Sequence, residues 1–191
     1  PVYTLDARGR LMPLAWNRLA AEQRGAFEGG DGQAGQGEAR LAYLLGKRTH
    51  EVGQPGGFLR RRSGSLGGAP YANLLYVGAP GLGMPGAGYG LHRQALLQRR
   101  KLLYLGADDG LLHAFEARMG SEVFAYLPQA LLHAAAAAAS THYSPGPLLD
   151  GAHTSRGGGH QRGGCEHRGD DVGRSQPRET GRGEHDGVQV G

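Results

Sequence analysis

The chain has 191 residues, enough for one ordinary domain, and its 21 Lys and Arg against 17 Asp and Glu leave a net charge of only +4. A single cysteine excludes a disulfide within the chain, and no apolar run reaches the roughly 18 residues of a membrane-spanning helix, so we expect no membrane span. The chain begins at Pro1 without a recognisable secretion signal, and an interior fragment of a longer protein would look the same.

The first predicted elements are a β-hairpin and two short helices. Residues 2–16 hold two apolar runs about a turn at residues 7–9, and Pro13 restricts its strand to a sheet edge or a bulge. Residues 19–27 have helix-forming composition, and residues 38–45 carry apolar side chains at spacings of three and four. Both segments are predicted to be helical.

The middle of the chain carries an internal repeat and a run of predicted strands. The sequence LLYVGA at residues 74–79 recurs as LLYLGA at residues 102–107. Asp109-Gly110 is a dipeptide favoured in hairpin turns, and residues 111–117 after it alternate between two faces. Residues 123–127 supply a third strand. Because an isolated hairpin is only marginally stable, these strands are predicted to form part of a larger sheet.

Three further segments complete the ordered part. Residues 47–68 hold Gly, Pro, Ser and an arginine triplet with little apolar content, which predicts a loop. Residues 91–101 fit either a short helix or the outer part of a loop. Residues 129–140 include six consecutive alanines, and alanine has the highest helix propensity, so a helix is predicted.

The last 41 residues differ in composition from the rest. They contain no Leu, Ile, Phe, Tyr, Trp or Met. Ordering them would cost roughly 1–2 kcal/mol per residue of backbone entropy, which five small apolar side chains cannot offset. Residues 151–191 are therefore predicted to be a disordered Gly/Arg/His-rich tail that follows an ordered segment at residues 1–150.

One segment carries a family resemblance. The sequence YLGADDGLLHAFEARMGSEVFAYLP, at residues 104–128, resembles the propeller-blade signature of the type IV pilus biogenesis and tip-adhesin family (PilC/PilY type). Further markers of this family run in order from residue 2 to about residue 151. They include Trp16, Glu38-Ala39-Arg40-Leu41, Tyr43-Leu44, Gly57-Phe58, Arg62-Ser63-Gly64, Leu66-Gly67, Asn73 and Tyr76-Val77-Gly78-Ala79-Pro80.

The resemblance implies both a fold and a function. The fold would be mainly β: a partial β-propeller of one or two quinoprotein-like blades, with short helices in the insertions between strands. The function would be a non-catalytic role in pilus biogenesis and surface adhesion. The implied partners are pilin or other pilus-assembly proteins and a host or abiotic surface, and the implied location is the periplasm, outer membrane or cell surface at the pilus tip.

The tail departs from the family pattern. After Asp150-Gly151 the family continues with apolar strands, whereas this chain continues with Gly, Arg and His. The chain is also biased toward residues with GC-rich codons. We therefore hypothesise a reading-frame slip near residue 151 that truncates the propeller, and translation of the other two frames would test it. A propeller segment this short cannot close its ring, which predicts poor stability or oligomerisation in isolation.

Metal binding is not predicted in this segment. Calcium needs five or more oxygen ligands, and Asp108-Asp109-Gly110 offers two carboxylates, so a turn is the preferred interpretation. The resemblance implies a calcium loop in the full-length family, which we expect to be missing from this chain. The zinc-ligand types in the tail lack the usual spacing of structural zinc sites. They are His153, His160, Cys165, His167 and His185.

Nucleic-acid binding is not expected either. Arg156-Gly157-Gly158 and Arg162-Gly163-Gly164 resemble RGG segments that bind single-stranded RNA, but the tail balances six Arg with six Asp and Glu and has no aromatic residue. The triplet Arg60-Arg61-Arg62 is interpreted as part of a solvated loop. RNA binding through the tail stays an alternative, for which steep salt dependence would be diagnostic.

No catalytic or cofactor-binding residue is predicted, and the chain is predicted not to be an enzyme. His113 and His133 have no carboxylate, Ser or Cys companion at a motif spacing, so both are interpreted as partly buried structural residues. Trp16 is expected to pack beneath its hairpin. Residues 81–86 fit GxGxxG formally, but no helix follows. A quinoprotein dehydrogenase is the enzymatic alternative, and the single Trp argues against it.

Overall fold

The structure, a computed structural model, describes residues 1–28, 35–70, 72–81, 88–144 and 146–149. The chain divides into two units, Pro1–Gly159 and His160–Gly191, and every described residue belongs to the first. The predicted disordered tail at residues 151–191 lies outside the described residues. The boundary proposed at residue 150 stays a prediction.

The described residues form a six-stranded mixed sheet and a few short helices. The strands are β1 (Val2–Leu5), β2 (Leu11–Pro13), β3 (Leu75–Val77), β4 (Leu102–Gly106), β5 (Leu112–Glu116) and β6 (Glu122–Tyr126). The α-helices are α1 (Ala21–Glu28), α2 (Gly37–Leu44), α3 (Tyr89–Ala95) and α4 (Leu132–Ala137), with 3-10 turns at Trp16–Arg18 and Gln129–Leu131. None of the described helices is long and apolar enough to span a membrane.

The N-terminal hairpin forms as predicted. β1 and β2 pair antiparallel, with Leu5 opposite Leu11. The Asp6 carboxylate accepts hydrogen bonds from the backbone N–H groups of Arg8 and Arg10, and Gly9 has a φ of +73°, which few residues other than glycine adopt. β2 lies at the edge of the sheet, where the missing N–H of Pro13 is tolerated.

The two copies of the repeat become neighbouring strands. β3 pairs antiparallel with β4, and Leu75 lies opposite Tyr104. β4, β5 and β6 then follow as an antiparallel meander, so the three successive strands predicted at residues 102–127 are confirmed. Glycines with positive φ, Gly110 at +82° and Gly120 at +70°, make the two tight connections. The complete strand order is β2-β1-β6-β5-β4-β3.

Helices α1, α2 and α4 supply the side chains that bury one face of the sheet, and all three occur where helices were predicted. Phe27 of α1 is fully buried, and it belongs to the same apolar cluster as Ala125 and Leu127. A second cluster joins Tyr43, Leu59 and Ala139. Loop 47–68 has no regular helix or strand, as predicted. It nevertheless contributes a core residue that its low apolar content did not predict, since Leu59 is only 1% exposed.

The mainly β class is confirmed, and the sheet is open. Strands β3 to β6 alone form a four-stranded antiparallel meander, which is the connectivity of one propeller blade. The sheet does not stop there, because β1 pairs in parallel with β6 and β2 extends the sheet further. The expectation of one or two propeller blades is therefore not confirmed by this architecture.

Candidate functional site

The turn that connects β4 to β5 gathers several polar contacts, some of them from segments distant in sequence. Gly110 donates its backbone N–H to Ala107 O, and Asp109 Oδ1 accepts the N–H of Leu111. Asp109 Oδ2 also accepts the N–H of Gly67, from a distant loop, at 2.8 Å. Asp108-Asp109-Gly110 is thus a turn, as predicted. The Asp109 carboxylate also holds the loop that contains Gly67 against this turn.

The turn is not surrounded by the ligands of a metal ion. Within the described ranges, no group of three or more His, Cys, Asp or Glu side chains is placed to hold a metal. The two carboxylates nearest His113 face opposite nitrogens of its ring, so they cannot chelate one ion together. The absence of a metal or cofactor from this segment stays a prediction.

The interpretation of His113 needs a correction. The side chain is buried, but it has two carboxylate partners: Nδ1 lies 2.6 Å from Glu122 Oε1 and Nε2 lies 3.2 Å from Asp109 Oδ2. Burial alone would lower the pKa of His113, but the hydrogen bonds with Asp109 and then Glu122 outweigh burial and raise it. The sequence separations of four and nine residues match no catalytic motif, which is why sequence reasoning missed both partners.

The predictions for His133 and Trp16 differ in outcome: the first is wrong and the second is confirmed. His133 is exposed on α4, so its assignment as a partly buried residue is wrong. Trp16 is partly buried and packs against the larger core cluster together with Met12 of the hairpin, as expected. Its ring also fills the space beside Gly37, where an added Cβ would lie 2.6 Å from Cη2.

Loop 64–68 lies directly on the turn. A Cβ added to Gly67 would lie 2.5 Å from the backbone nitrogen of Asp109, and a Cβ on Gly68 would lie 2.8 Å from Asp108 Oδ2. The N–H of Asp108 donates to Gly68 O at 2.7 Å, next to the bond between Gly67 and Asp109. The atom that a Cβ at Gly67 would meet belongs to the backbone, so only glycine permits the close approach at that position. A groove of about 540 Å³ is lined by both segments.

The arginine triplet is not a solvated run, and this interpretation is corrected. Arg60 donates its backbone N–H to Ala139 O and its Nε to Ala138 O, at 2.9 and 3.0 Å. Its guanidinium also lies 5.0 Å from the ring centroid of Tyr143. Arg60 therefore attaches the loop to the end of α4.

Arg62 is also structural. Its Nε lies 3.0 Å from Glu51 Oε1, and the two side chains are only 9% and 6% exposed. The guanidinium stacks over the ring of Tyr43 at 4.0 Å from the centroid. Only Arg61 of the triplet is exposed to solvent, as expected for a loop arginine.

The opposite face of the sheet is aromatic. Tyr104, Ala114 and Phe124 are direct partners across β4, β5 and β6. The Phe124 ring makes edge contacts with Tyr104 and Tyr3, at centroid distances of 6.1 and 6.5 Å. We call Tyr3, Tyr104, Phe124 and Tyr126 the aromatic face. In the part of the chain that the structure describes, none of these side chains belongs to a core cluster.

Several sequence motifs lie outside the described residues. These are the zinc-ligand types of the tail, both RGG-like segments and most of the GxGxxG match at residues 81–86. The structure brings together Asp109, His113 and the Gly67 loop, but it neither places the tail motifs nor tests them.

The comparisons with known proteins give relatives from one family. No family model matches the chain, and no solved structure matches it. The chain is 39% identical over 100 residues to the "Type IV pilus biogenesis factor PilY1 homolog" of Xylella fastidiosa, a match that covers 49% of this chain and 8% of that protein. It is 29% identical over 133 residues to the "Type IV pilus biogenesis factor PilY1" of Pseudomonas aeruginosa strain PAK, covering 63% and 11%.

A third relative, of the same name from Pseudomonas aeruginosa strain UCBPP-PA14, is 29% identical over 136 residues. The chain spans only about a tenth of the length of these curated relatives, 8% to 11%. The relatives confirm the resemblance drawn from the repeat and the meander: the chain is similar to one segment of the PilY-type pilus biogenesis factors.

Proposed function

We propose that this chain is a segment of a type IV pilus biogenesis factor that contributes to pilus assembly and surface adhesion without catalysis. The observation that carries the proposal is the 39% identity over 100 residues to a relative named for pilus biogenesis. The matched region covers only 8% to 11% of each relative, so we expect this segment to act within a larger protein.

The aromatic face supports a packing role for the segment. Its four aromatic side chains are half-buried and belong to no core cluster that the described residues form, so part of their apolar surface is open to solvent. Contiguous apolar surface of this kind often marks a face that another layer covers. Two packed sheets lie about 10 Å apart and bury such side chains between them. We propose that β3 to β6 form a propeller-type blade whose aromatic face packs against another sheet of the longer protein. The N-terminal hairpin would be an addition at the β6 side of that blade.

The contacts of the polar cluster support a non-catalytic role. Both ring nitrogens of His113 face carboxylates, and Asp109 already accepts backbone hydrogen bonds from Gly67 and Leu111. A general base needs a free lone pair that a substrate can reach. A polar network that is satisfied internally is suited to holding the sheet and loop together.

We extend the proposal to the location and the partners of the longer protein. A pilus biogenesis role places the longer protein in the periplasm, in the outer membrane or at the cell surface, where pilin or other pilus-assembly proteins and a host or abiotic surface are the expected partners. Any calcium ion would bind elsewhere in the longer protein.

A chimera tests the proposal. The matching segment of the Xylella fastidiosa relative is replaced by the corresponding residues of this chain and expressed in a strain that lacks the relative. We expect surface pili to return, as counted by electron microscopy. The variant Tyr104→Lys, in the aromatic face, should lower pilus number, whereas Met119→Lys, at a position 76% exposed, should not.

Immunoblots of the chimera separate assembly from folding. A chimera that accumulates to the level of the natural relative and yet restores no pili contradicts the proposed function. Equal pilus numbers for Tyr104→Lys and Met119→Lys contradict the packing role of the aromatic face.

A further inference from the structure

The strongest unassigned feature is the position of His113 between two carboxylates. The imidazole is 6% exposed, with Asp109 on one ring nitrogen and Glu122 on the other. Asp109 is 13% exposed and Glu122 is 43% exposed, so one partner lies inside the fold and the other reaches solvent. The His113 ring therefore lies between a largely buried carboxylate and a solvent-exposed one.

A β-bulge brings Glu122 to this position. Ala125 lies opposite His113 and Phe124 opposite Ala114, but the register then shifts, so that Glu122 lies opposite Phe115. Side chains alternate between faces along a regular strand, and regular pairing would turn Glu122 away from His113. One extra residue in β6 reverses the alternation and aims the carboxylate at the ring, as bulges commonly do.

The geometry fixes the protonation state that satisfies the cluster. A neutral imidazole has one N–H donor and one lone pair, whereas an imidazolium has two donors. Two carboxylate acceptors on opposite nitrogens are both satisfied only by the imidazolium. After loss of the proton, one buried lone pair faces a carboxylate oxygen, which costs the hydrogen bond and adds repulsion.

The Asp109 carboxylate transmits this change to a loop. Its Oδ2 accepts hydrogen bonds from both His113 Nε2 and the Gly67 N–H, at 3.2 and 2.8 Å. We propose that Asp109, His113 and Glu122 form a proton-dependent latch, which holds loop 64–68 on the β4–β5 turn while His113 carries its proton and releases the loop when the proton leaves. The loop lines the groove of about 540 Å³, so the latch controls the shape of that groove.

Among the described residues that line the cavity beside the ring, no other charged side chain competes with these two carboxylates. Apart from His113 and Glu122, the side chains that line the cavity of about 400 Å³ beside the ring are uncharged. They are Val2, Leu44, Leu45, Ser65, Leu66, Leu111 and Phe115. The Phe115 ring stacks on the imidazole at a centroid distance of 5.9 Å. The hydrogen bonds with Asp109 and Glu122 raise the pKa of His113 in spite of burial, so the latch is closed below that raised pKa and opens as the pH rises through it.

Nuclear magnetic resonance on the isotope-labelled full chain tests the latch. The His113 ring proton and the Gly67 amide are followed against pH, with the Gly9 amide, bonded to Asp6 O in the distant hairpin, as reference. We expect the His113 midpoint to lie above that of the same residue in the urea-unfolded chain. We also expect the Gly67 signal to shift with the same midpoint while the Gly9 signal does not.

A matched pair of variants completes the test. Glu122→Gln removes the charge beside His113 and should move the midpoint to lower pH. Glu116→Gln makes the same change at a carboxylate that caps the backbone of Arg118 and Met119, and it should leave the midpoint in place. A wild-type His113 midpoint at or below the unfolded value overturns the proposal, as does a Gly67 signal that does not move with it. The wild-type titration decides even if a variant fails to fold.

Discussion

Replacement of Gly67 by Ala is the most direct test of the contact between loop 64–68 and the β4–β5 turn. The new Cβ would lie 2.5 Å from Asp109 N and about 3 Å from the Asp109 side chain, so the loop has to move away. That movement breaks the Gly67 N–H bond to the Asp109 carboxylate and strains the bond from Asp108 N–H to Gly68 O. A hydrogen bond to a charged group contributes about 1.5–3 kcal/mol and a neutral one about 0.5–1.5 kcal/mol, so we expect a loss of about 2–4 kcal/mol.

The neighbouring Gly64 provides the matched control. A Cβ there meets only Leu66 O, at 3.9 Å, so Gly64→Ala introduces no close contact. Its reduced entropy in the unfolded chain should leave stability unchanged or raise it by up to about 1 kcal/mol. Urea unfolding monitored by the fluorescence of Trp16, the single tryptophan, measures both free energies of unfolding. Equal effects of Gly67→Ala and Gly64→Ala would refute the close approach of loop and turn.

Three further predictions concern other buried polar contacts. Arg62→Met leaves Glu51 buried with a weakened partner and should cost about 3–5 kcal/mol in urea unfolding, whereas Met at the exposed Arg61 should change stability by less than about 0.5 kcal/mol. Thr4→Val removes a buried hydroxyl that donates to a backbone carbonyl at 2.9 Å and should cost about 1–3 kcal/mol, so a neutral result in thermal unfolding would contradict that hydrogen bond. Because the pKa of His113 is raised in the folded protein, protonated His113 stabilises the fold fully below the unfolded value of about 6.5, and this stabilisation is lost as the pH rises through the folded pKa. In urea unfolding at a series of pH values, His113→Gln should therefore flatten the decline of the unfolding free energy above about pH 6.5.

Local sequence patterns predicted the elements because the forces that form them act over a few residues. The hairpin at residues 2–16 and the meander at residues 102–127 carry both alternation and turn residues, and the structure contains both. The alanine run predicted α4 by propensity. Each of these features depends on neighbours in sequence, which a single sequence displays directly.

Contacts between distant segments were beyond the same reasoning. Gly67 and Asp109 are 42 residues apart, and Arg60 reaches Ala138 across 78 residues. No local pattern encodes such pairs, so an arginine in a polar loop resembles a solvated residue until the tertiary fold places a carbonyl beside it. The parallel pairing of β1 with β6 was missed for the same reason, since it depends on the packing of the hairpin beside the last strand.

The His113 cluster shows how a small irregularity decides which residues interact. Strict alternation along residues 122–126 would put Glu122 on the aromatic face, where a carboxylate would interrupt the row formed by Phe124 and its neighbours. The bulge instead keeps that face apolar and supplies His113 with its second acceptor. Deletion of Val123, the residue that the bulge leaves unpaired, brings Glu122 directly before Phe124, and regular alternation then keeps Glu122 on the face of His113. The deletion should therefore leave the midpoint of His113 raised and the aromatic face uncharged. A midpoint that falls to the value of the Glu122→Gln variant contradicts this account of the bulge.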